Sequence, residues 1–268
     1  MQLNNILLNI IIGGNYQGNS SWSRKRDGSD NCYKIYYIDY GNVTIYNNEQ
    51  ECSLSSDNLY LINGFNITGF KSEQNFSVGW LHFIPQSIYL YKALSQLPLV
   101  TQLSTPHSEF LSLLKNTDKI IAPYPKLNYK YLKLETLLVY TLSEVLEKNN
   151  IQITIDTPRS NLLKPLLEHI DKHLDSEISL SSLAEICHVS SAHFLRLFTN
   201  EYKITPINYV LQRKMGKARN LLLTTNLSIK EIGYQLGFYD QAYFSKVFKK
   251  YYGISPKKMK AEPKDSLL

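Results

Sequence analysis

The sequence predicts an α+β chain of two domains: an N-terminal β-barrel with trailing helices, then an all-α domain built on a tandem helix-turn-helix. Three observations predict it. A short pattern occurs twice near the C-terminus, at Leu180–Pro206 and at Leu227–Pro256. From Cys32 to Pro85 the chain is aromatic and β-branched with turn residues at close intervals, and beyond Pro85 apolar residues recur at helical spacing. The charge is also divided: residues 159–268 hold 17 Lys+Arg against 10 Asp+Glu, net +7, whereas residues 1–158 hold 12 against 13, net −1.

In chain order, Met1–Ile12 is apolar, with no basic residue before its apolar run and no clear cleavage site, and reads as an arm or edge strand. Strands follow at Tyr33–Ile38, Val43–Tyr46, Asn58–Ile62 and Phe76–Ile84. They are separated by the turn chemistry of Asp39-Tyr-Gly-Asn42, Asn47-Asn48, Ser55-Ser56-Asp57 and Asn63-Gly64. Short strands with frequent turns fit a sandwich or small barrel, whose mouth can hold a small molecule. Trp22, Arg24, Tyr37, Tyr60, Trp80 and His82 are the candidate lining residues. Aromatic faces would stack on a sugar ring or planar metabolite, and Arg or His would fix a hydroxyl or carboxylate.

Catalysis is not expected. A metal site needs clustered His and carboxylates, and the strand region offers only His82, with His107 beyond it. Cys32, Cys52 and Cys187 are scattered without a CxxC pair, which points to a reducing cytoplasm, and no Ser or Cys sits in a nucleophile elbow. The expectation is a cytoplasmic protein with no metal, cofactor, membrane span or enzymatic activity.

The helical part begins with Phe110–Leu114, opened near Thr105-Pro106. Asn128–Lys148 follows, with Tyr131, Leu134, Leu138, Leu142 and Val145 along one face. That stripe could pack on its own barrel or form a homodimer contact. Asn149-Asn150 ends it. The division is therefore a barrel domain at 1–150, a linker at 151–160 containing Thr157-Pro158, a helical domain at 161–262 and a tail at 263–268. Leu162, Leu163, Leu166, Leu167, Ile170 and Leu174 open the helical domain.

Within that domain each copy of the pattern reads as helix, turn, helix. Ser182–Glu185 and Ser228–Glu231 have the capping-box spacing. Phe194, Leu197 and Phe198, then Phe244, Val247 and Phe248, form matching buried stripes 50 positions apart, while Leu183 and Ile232 correspond at 49, so the second turn is one residue longer. Gly237 supplies the sharp turn of copy two. Between the copies a helix of about 18 residues from Pro206 would span about 27 Å, close to the roughly 34 Å between successive major grooves. The stripes leave Ala192, Leu195, Arg196 and Thr199 outside on one helix, and Gln241, Ala242, Tyr243, Lys246 and Lys249 on the other. Such side chains can bond base edges or touch thymine methyls, and the basic half suits phosphate contact.

Leu163–Lys260 resembles the DNA-binding domain of the AraC/XylS family of bacterial transcription regulators. The strongest match is Ile229–Phe238, Gln241–Lys250 and Gly253–Pro256. His188 stands where the family carries a turn Gly, Gly233 where it carries a small Ala, and Lys214 where it carries Arg. The strand region, particularly Trp80-Leu-His-Phe83, is similar to the family's cupin-like sensing domain. The resemblance implies a cupin-like barrel that senses a small effector (a sugar or other metabolite) and an activator that binds double-stranded DNA and RNA polymerase. Its base-reading positions fall on Ala192, Leu195, Arg196, Gln241, Ala242, Tyr243 and Lys246. Two alternatives are control by a protein partner and a cupin-type metalloenzyme with accessory helices.

Overall fold

The computed structural model describes residues 8–25, 32–104, 108–117, 120, 129–152, 158–252 and 254–260. Thr105-Pro106, His107, Asn128, Gly253 and the 263–268 tail lie outside them. By internal contacts the chain forms two compact units. The first is residues 8–84 with 95–152. The second is residues 158–260 together with Pro85–Leu94, a segment that lies within the first 150 residues of the sequence.

The sheet-rich unit contains β1 (Leu8–Gly18), β2 (Ser23–Lys25), β3 (Tyr33–Tyr40), β4 (Asn42–Tyr46), β5 (Glu51–Ser55), β6 (Asn58–Asn63), β7 (Gly69–Lys71), β8 (Phe76–Pro85) and β9 (Val100–Gln102). They form a sheet of order β1-β8-β3-β6-β9 and another of order β2-β7-β4-β5. One apolar core joins both sheets: Tyr36, Ile38, Tyr60 and Val78 come from the first, and Val43, Ile45, Leu54 and Phe70 from the second. Among the described residues the two sheets share no strand pairing, so the cupin-like barrel is an open two-sheet sandwich. β1, legible only as an arm or edge strand, is an edge of the larger sheet. The Asn47-Asn48 turn forms because the Asn47 side chain accepts from the amides of Glu49 and Gln50, each at 2.9 Å.

Strand alternation fixes which side chains enter the core. Tyr36 pairs with Tyr60 on one side and Trp80 on the other, so these three rings share the inner face. Tyr37 pairs with Gly79 on the opposite face, where a Cβ on Gly79 would meet Leu114 and Lys115. Those two belong to α2 (Ser108–Lys115), which covers that face. The 20-residue helix α3 (Tyr129–Lys148) packs against α2 and buries Tyr131, Leu134, Leu138, Leu142 and Val145. No helix among the described residues is long and apolar enough to cross a membrane.

The second unit begins with α1 (Ile88–Leu94) and continues with α4 (Pro158–Lys172), α5 (Leu180–Ile186), α6 (Ser191–Tyr202), α7 (Pro206–Thr224), α8 (Ile229–Gln235), α9 (Gln241–Tyr252) and α10 (Pro256–Lys260). α4 starts at Pro158, two residues before the sequence reading ends its linker, because Pro is well suited to a first helical turn. The second capping box forms between Ser228 and Glu231 as expected. The first does not use Ser182 and Glu185: Ser179 is the cap and Ser182 the reciprocal partner, so α5 begins earlier. Three Ser within four positions, at 179, 181 and 182, made the cap ambiguous from sequence.

The two copies are built alike. Phe194, Phe198 and Tyr202 form an aromatic ladder on α6, repeated by Phe244, Phe248 and Tyr252 on α9. All six are buried, each stabilising by about 1.5–3 kcal/mol. Leu197, the fellow of buried Val247, is only half-buried. Both turns close with a 6→1 bond, Val189 to the Ala184 carbonyl at 3.1 Å and Phe238 to the Gly233 carbonyl at 2.9 Å. The residue that this closure forces into the left-handed region is His188 in one copy (φ 53) and Gly237 in the other (φ 69). The second helices, α6 and α9, are capped by Ser190 and by Asp240. One residue therefore lies between turn and cap in the second copy alone: Tyr239, 78% exposed.

Candidate nucleic-acid interface and barrel interior

On α6, Ala192, Leu195 and Arg196 are exposed. The Arg196 guanidinium donates to His193 Nδ1 at 3.3 Å, so His193 holds the longest polar side chain of this face. Thr199 departs from the sequence reading: it is half-buried and its hydroxyl oxygen is sequestered without a hydrogen-bond partner. It flanks Phe198 on the core side rather than facing out. On α9, Gln241, Ala242, Tyr243, Lys246 and Lys249 are all exposed. Asp240 orients this helix by accepting from the amides of Ala242 (2.8 Å) and Tyr243 (3.1 Å). Exposed Tyr239 lies four residues before exposed Tyr243; the repeat pattern showed that the second turn is one residue longer, without marking which residue is exposed. Lys230 lies over the ring of exposed Tyr234 on α8, 5.7 Å from its centroid.

The strut α7 fixes the second copy through Lys214, the residue that stands where the resembled family carries Arg. Lys214 is buried, and its ammonium donates to the carbonyls of Ser176 and Leu236, each at 2.7 Å, beneath the ring of Phe238. Burial lowers its pKa. The same Ser176 backbone lies against Gly237: a Cβ there would come within 2.6 Å of Ser176 C and O. One lysine and one glycine thus join the loop after α4, the strut and the second turn.

In the barrel unit the candidate lining residues divide. Trp80 and His82 lie on the inner face, their rings 4.7 Å apart, and Trp22 packs on Phe76 at 5.1 Å. Arg24 lies over Phe70. Tyr60 is buried, and its hydroxyl accepts from the Ser55 amide at 3.0 Å, so it ties a turn. Tyr37 is misplaced by one position: it faces away from the interior, beside Asp57 and beneath Lys115, and the residue that enters is Tyr36. Sequence reasoning also missed Lys34, fully buried with Nζ 3.2 Å from His82 Nε2 and 3.6 Å from Cys32 Sγ. Burial, Lys34 and Arg24 together hold His82 well below the usual imidazole range, so it is neutral. A concave opening of about 360 Å³ is lined by Tyr16, Gln17, Gly18, Asn19, Trp22, Tyr40 and Asn75.

The five residues proposed for a dimer contact are all buried against their own chain. Their regular spacing reflected intramolecular packing, and the outward side of α3 carries Tyr129, Leu132 and Tyr140 instead. Cys32, Cys52 and Cys187 are not joined in disulfides. Among the described residues no three His, Cys, Asp or Glu side chains cluster as metal ligands; the stacked pair His169–His173 supplies two.

Residues 183–262 match the family model described as "Helix-turn-helix domain". The chain is 31% identical over 130 residues to the arabinose operon regulatory protein of Escherichia coli (strain K12), covering 47% of this chain and 44% of that protein. Across three curated relatives it spans 55%, 34% and 44% of their length. Among solved structures, the C-terminal domain of the response regulator yesN from Fusobacterium nucleatum is 38% identical, with 38% of this chain and 99% of that chain covered and a TM-score of 0.37. ToxT from Vibrio cholerae O395 covers 92% of this chain and 96% of its own at 16% identity, with a TM-score of 0.50, a likeness of fold.

Proposed function

Because the chain belongs to the AraC/XylS family of transcription regulators, we propose that it activates transcription by placing α6 and α9 in successive major grooves, under control of a small effector bound by its barrel unit. The observation that carries the reading is the duplication: two helices in the same frame, each with an exposed face at a 50-residue offset, Ala192 matched by Ala242 and Arg196 by Lys246. A solvated face alone has no reason to recur in register. Arg196, Gln241 and Lys246 are the hydrogen-bonding readers, Ala192, Leu195, Ala242 and Tyr243 the apolar contacts, and Lys249 a phosphate contact. RNA polymerase is the partner an activator requires.

Effector binding is supported by the aromatic inner face around Trp80, by the cations Arg24 and Lys34, and by the opening at Trp22. ToxT was solved bound to (E)-4-(8-methylnaphthalen-1-yl)but-3-enoic acid; for this chain the effector class is a metabolite carrying a hydroxyl or carboxylate for those cations. A second reading, control by a protein partner, is favoured by one observation: Tyr36, Tyr60, Phe70 and Phe76 fill the space between the sheets.

Footprinting of the full chain on DNA upstream of its own and neighbouring genes, with salt titrated, tests the DNA reading. Protection of two major-groove segments about 10 bp apart is expected; no sequence-selective protection sinks it. Trp22 and Trp80 are the chain's two tryptophans, so their fluorescence under metabolite titration reports directly on the effector reading. Saturable change is expected, and silence across acids and sugars favours the protein partner.

A further inference from the structure

The segment Pro85–Leu94 is read from sequence as part of the barrel domain, yet its contacts place it with the helical unit. Seven residues are too few for a helix to stand alone in water, so α1 owes its form to what it packs on. Ile88, Leu90, Tyr91, Ala93 and Leu94 are buried. On the side toward α6, Lys92 Nζ meets Glu201 Oε1 at 2.5 Å, and the Glu201 side chain is only 8% exposed. On the strut, Gln212 Nε2 donates to the Pro85 carbonyl and Arg213 Nη1 to the Gln86 carbonyl at 3.3 Å. The Gln86 amide oxygen lies where a Cβ on Gly216 would begin to crowd it, at 3.1 Å. Arg213 is itself held by both carboxylate oxygens of Asp171 on α4, at 2.8 and 3.1 Å. Two elements of the helical unit are thus tied directly to one short segment, and α4 is tied to it through Arg213.

We propose that Pro85–Leu94 positions the first reading helix: through Lys92–Glu201 and the Pro85 and Gln86 carbonyls it sets how α6 stands on the strut, and so how Ala192, Leu195 and Arg196 meet bases. The inference rests on the reading that α6 enters a groove. Glu201 lies five residues beyond Arg196 on the same rigid helix, so a change at one end is delivered to the other without local unfolding. Pro85 is also the last residue of β8, the strand that carries Trp80 and His82. Three residues of continuous backbone therefore separate the candidate effector site from the Gln212 contact. That makes the segment the shortest covalent route from effector to base readout.

The test uses the full chain on its footprinted operator, with protection of each segment quantified separately. Lys92→Met keeps the aliphatic stem and removes the charge, leaving the Glu201 carboxylate without this partner in a poorly solvated place. Protection of the α6 segment should weaken about tenfold while the α9 segment is unchanged, and Lys92→Arg should retain wild-type protection of both. A merely stabilising contact would instead weaken both segments together, and that result overturns the proposal, as does unchanged protection of the α6 segment. If Lys92→Met does not fold, the exchange of Lys92→Glu with Glu201→Lys keeps the test: restored α6-segment protection supports the proposal, and a folded exchange that protects only the α9 segment refutes it. Wild-type protein that protects no DNA overturns the groove reading first, and this inference falls with it.

Discussion

Replacing Gly237 with Ala tests the structural account of the second helix-turn-helix at its tightest point. Gly237 sits at φ 69, where an L side chain costs about 1–2 kcal/mol. The added Cβ would also lie 2.6 Å from Ser176 C and O and 3.0 Å from Glu177 N. These are backbone atoms, and Ser176 O is pinned by Lys214 at 2.7 Å, so relief requires moving the loop away from the strut. Crowding of this kind costs about 1–3 kcal/mol. The sum is about 2–5 kcal/mol, enough to lower the midpoint of the helical transition by about 10 °C or more in a unit of this size. The assay is thermal unfolding of the full chain followed by far-ultraviolet circular dichroism, with footprinting of the folded protein at low temperature. His188 provides an internal control, since it occupies the same left-handed position in the first copy. His188→Gly should raise the midpoint, by about 0.5–1 kcal/mol of relieved strain. Opposite signs at equivalent positions are the expected result. A Gly237→Ala protein within about 0.5 kcal/mol of wild type would refute the argument, because neither the backbone conformation nor the close approach could then be real.

Other consequences are open to measurement. Gly233→Ala places a Cβ 3.4–3.6 Å from the Phe244 side chain, ordinary contact distance, and should stabilise by up to about 1 kcal/mol through helix propensity, read as a higher urea midpoint; a lower midpoint would mean that side chain cannot accept it. Lys246→Ala should cost about 1–3 kcal/mol at the cognate operator and far less on unrelated DNA, whereas an equal loss on both would assign Lys246 to phosphate. His82 is depressed in the folded state, so its neutral form contributes stability above the ordinary histidine value of 6.5 that is lost as pH falls through and below it. Acid titration of the sheet-rich unit should therefore show a steeper loss than in His82→Gln; parallel curves would show that His82 carries no such burden.

The helical unit was largely legible in the sequence because its signals are local. Ladder residues such as Phe194 and Phe244 repeat at helical spacing, Ser228 and Glu231 sit three apart, and Thr205-Pro206 announces α7, whose Thr205 cap accepts from the Asn208 amide. What was lost there depended on contacts distant in sequence. Lys214 reads only as a Lys where the family carries Arg until Ser176 and Leu236 are brought to it, and Thr199 reads as outward although its hydroxyl is buried. In the barrel unit, a strand's parity is settled by its partners rather than by itself. Tyr36 and Tyr37 are chemically alike, and only pairing with Tyr60 and Trp80 shows which one enters. The stripe on α3 illustrates the converse failure: periodicity establishes that a face is buried, and is silent about what buries it.

The attachment of Pro85–Leu94 to the helical unit bears on how the protein can be taken apart. A fragment cut at the sequence boundary near residue 151 would contain every helix-turn-helix residue and still leave behind the groups that Glu201, Gln212 and Arg213 hold in the intact chain. Its DNA affinity would describe a domain missing one of its own walls. Activity in such a truncation would measure what the reading helices do when released, and comparison with the intact protein would separate intrinsic base recognition from the restraint the rest of the chain applies.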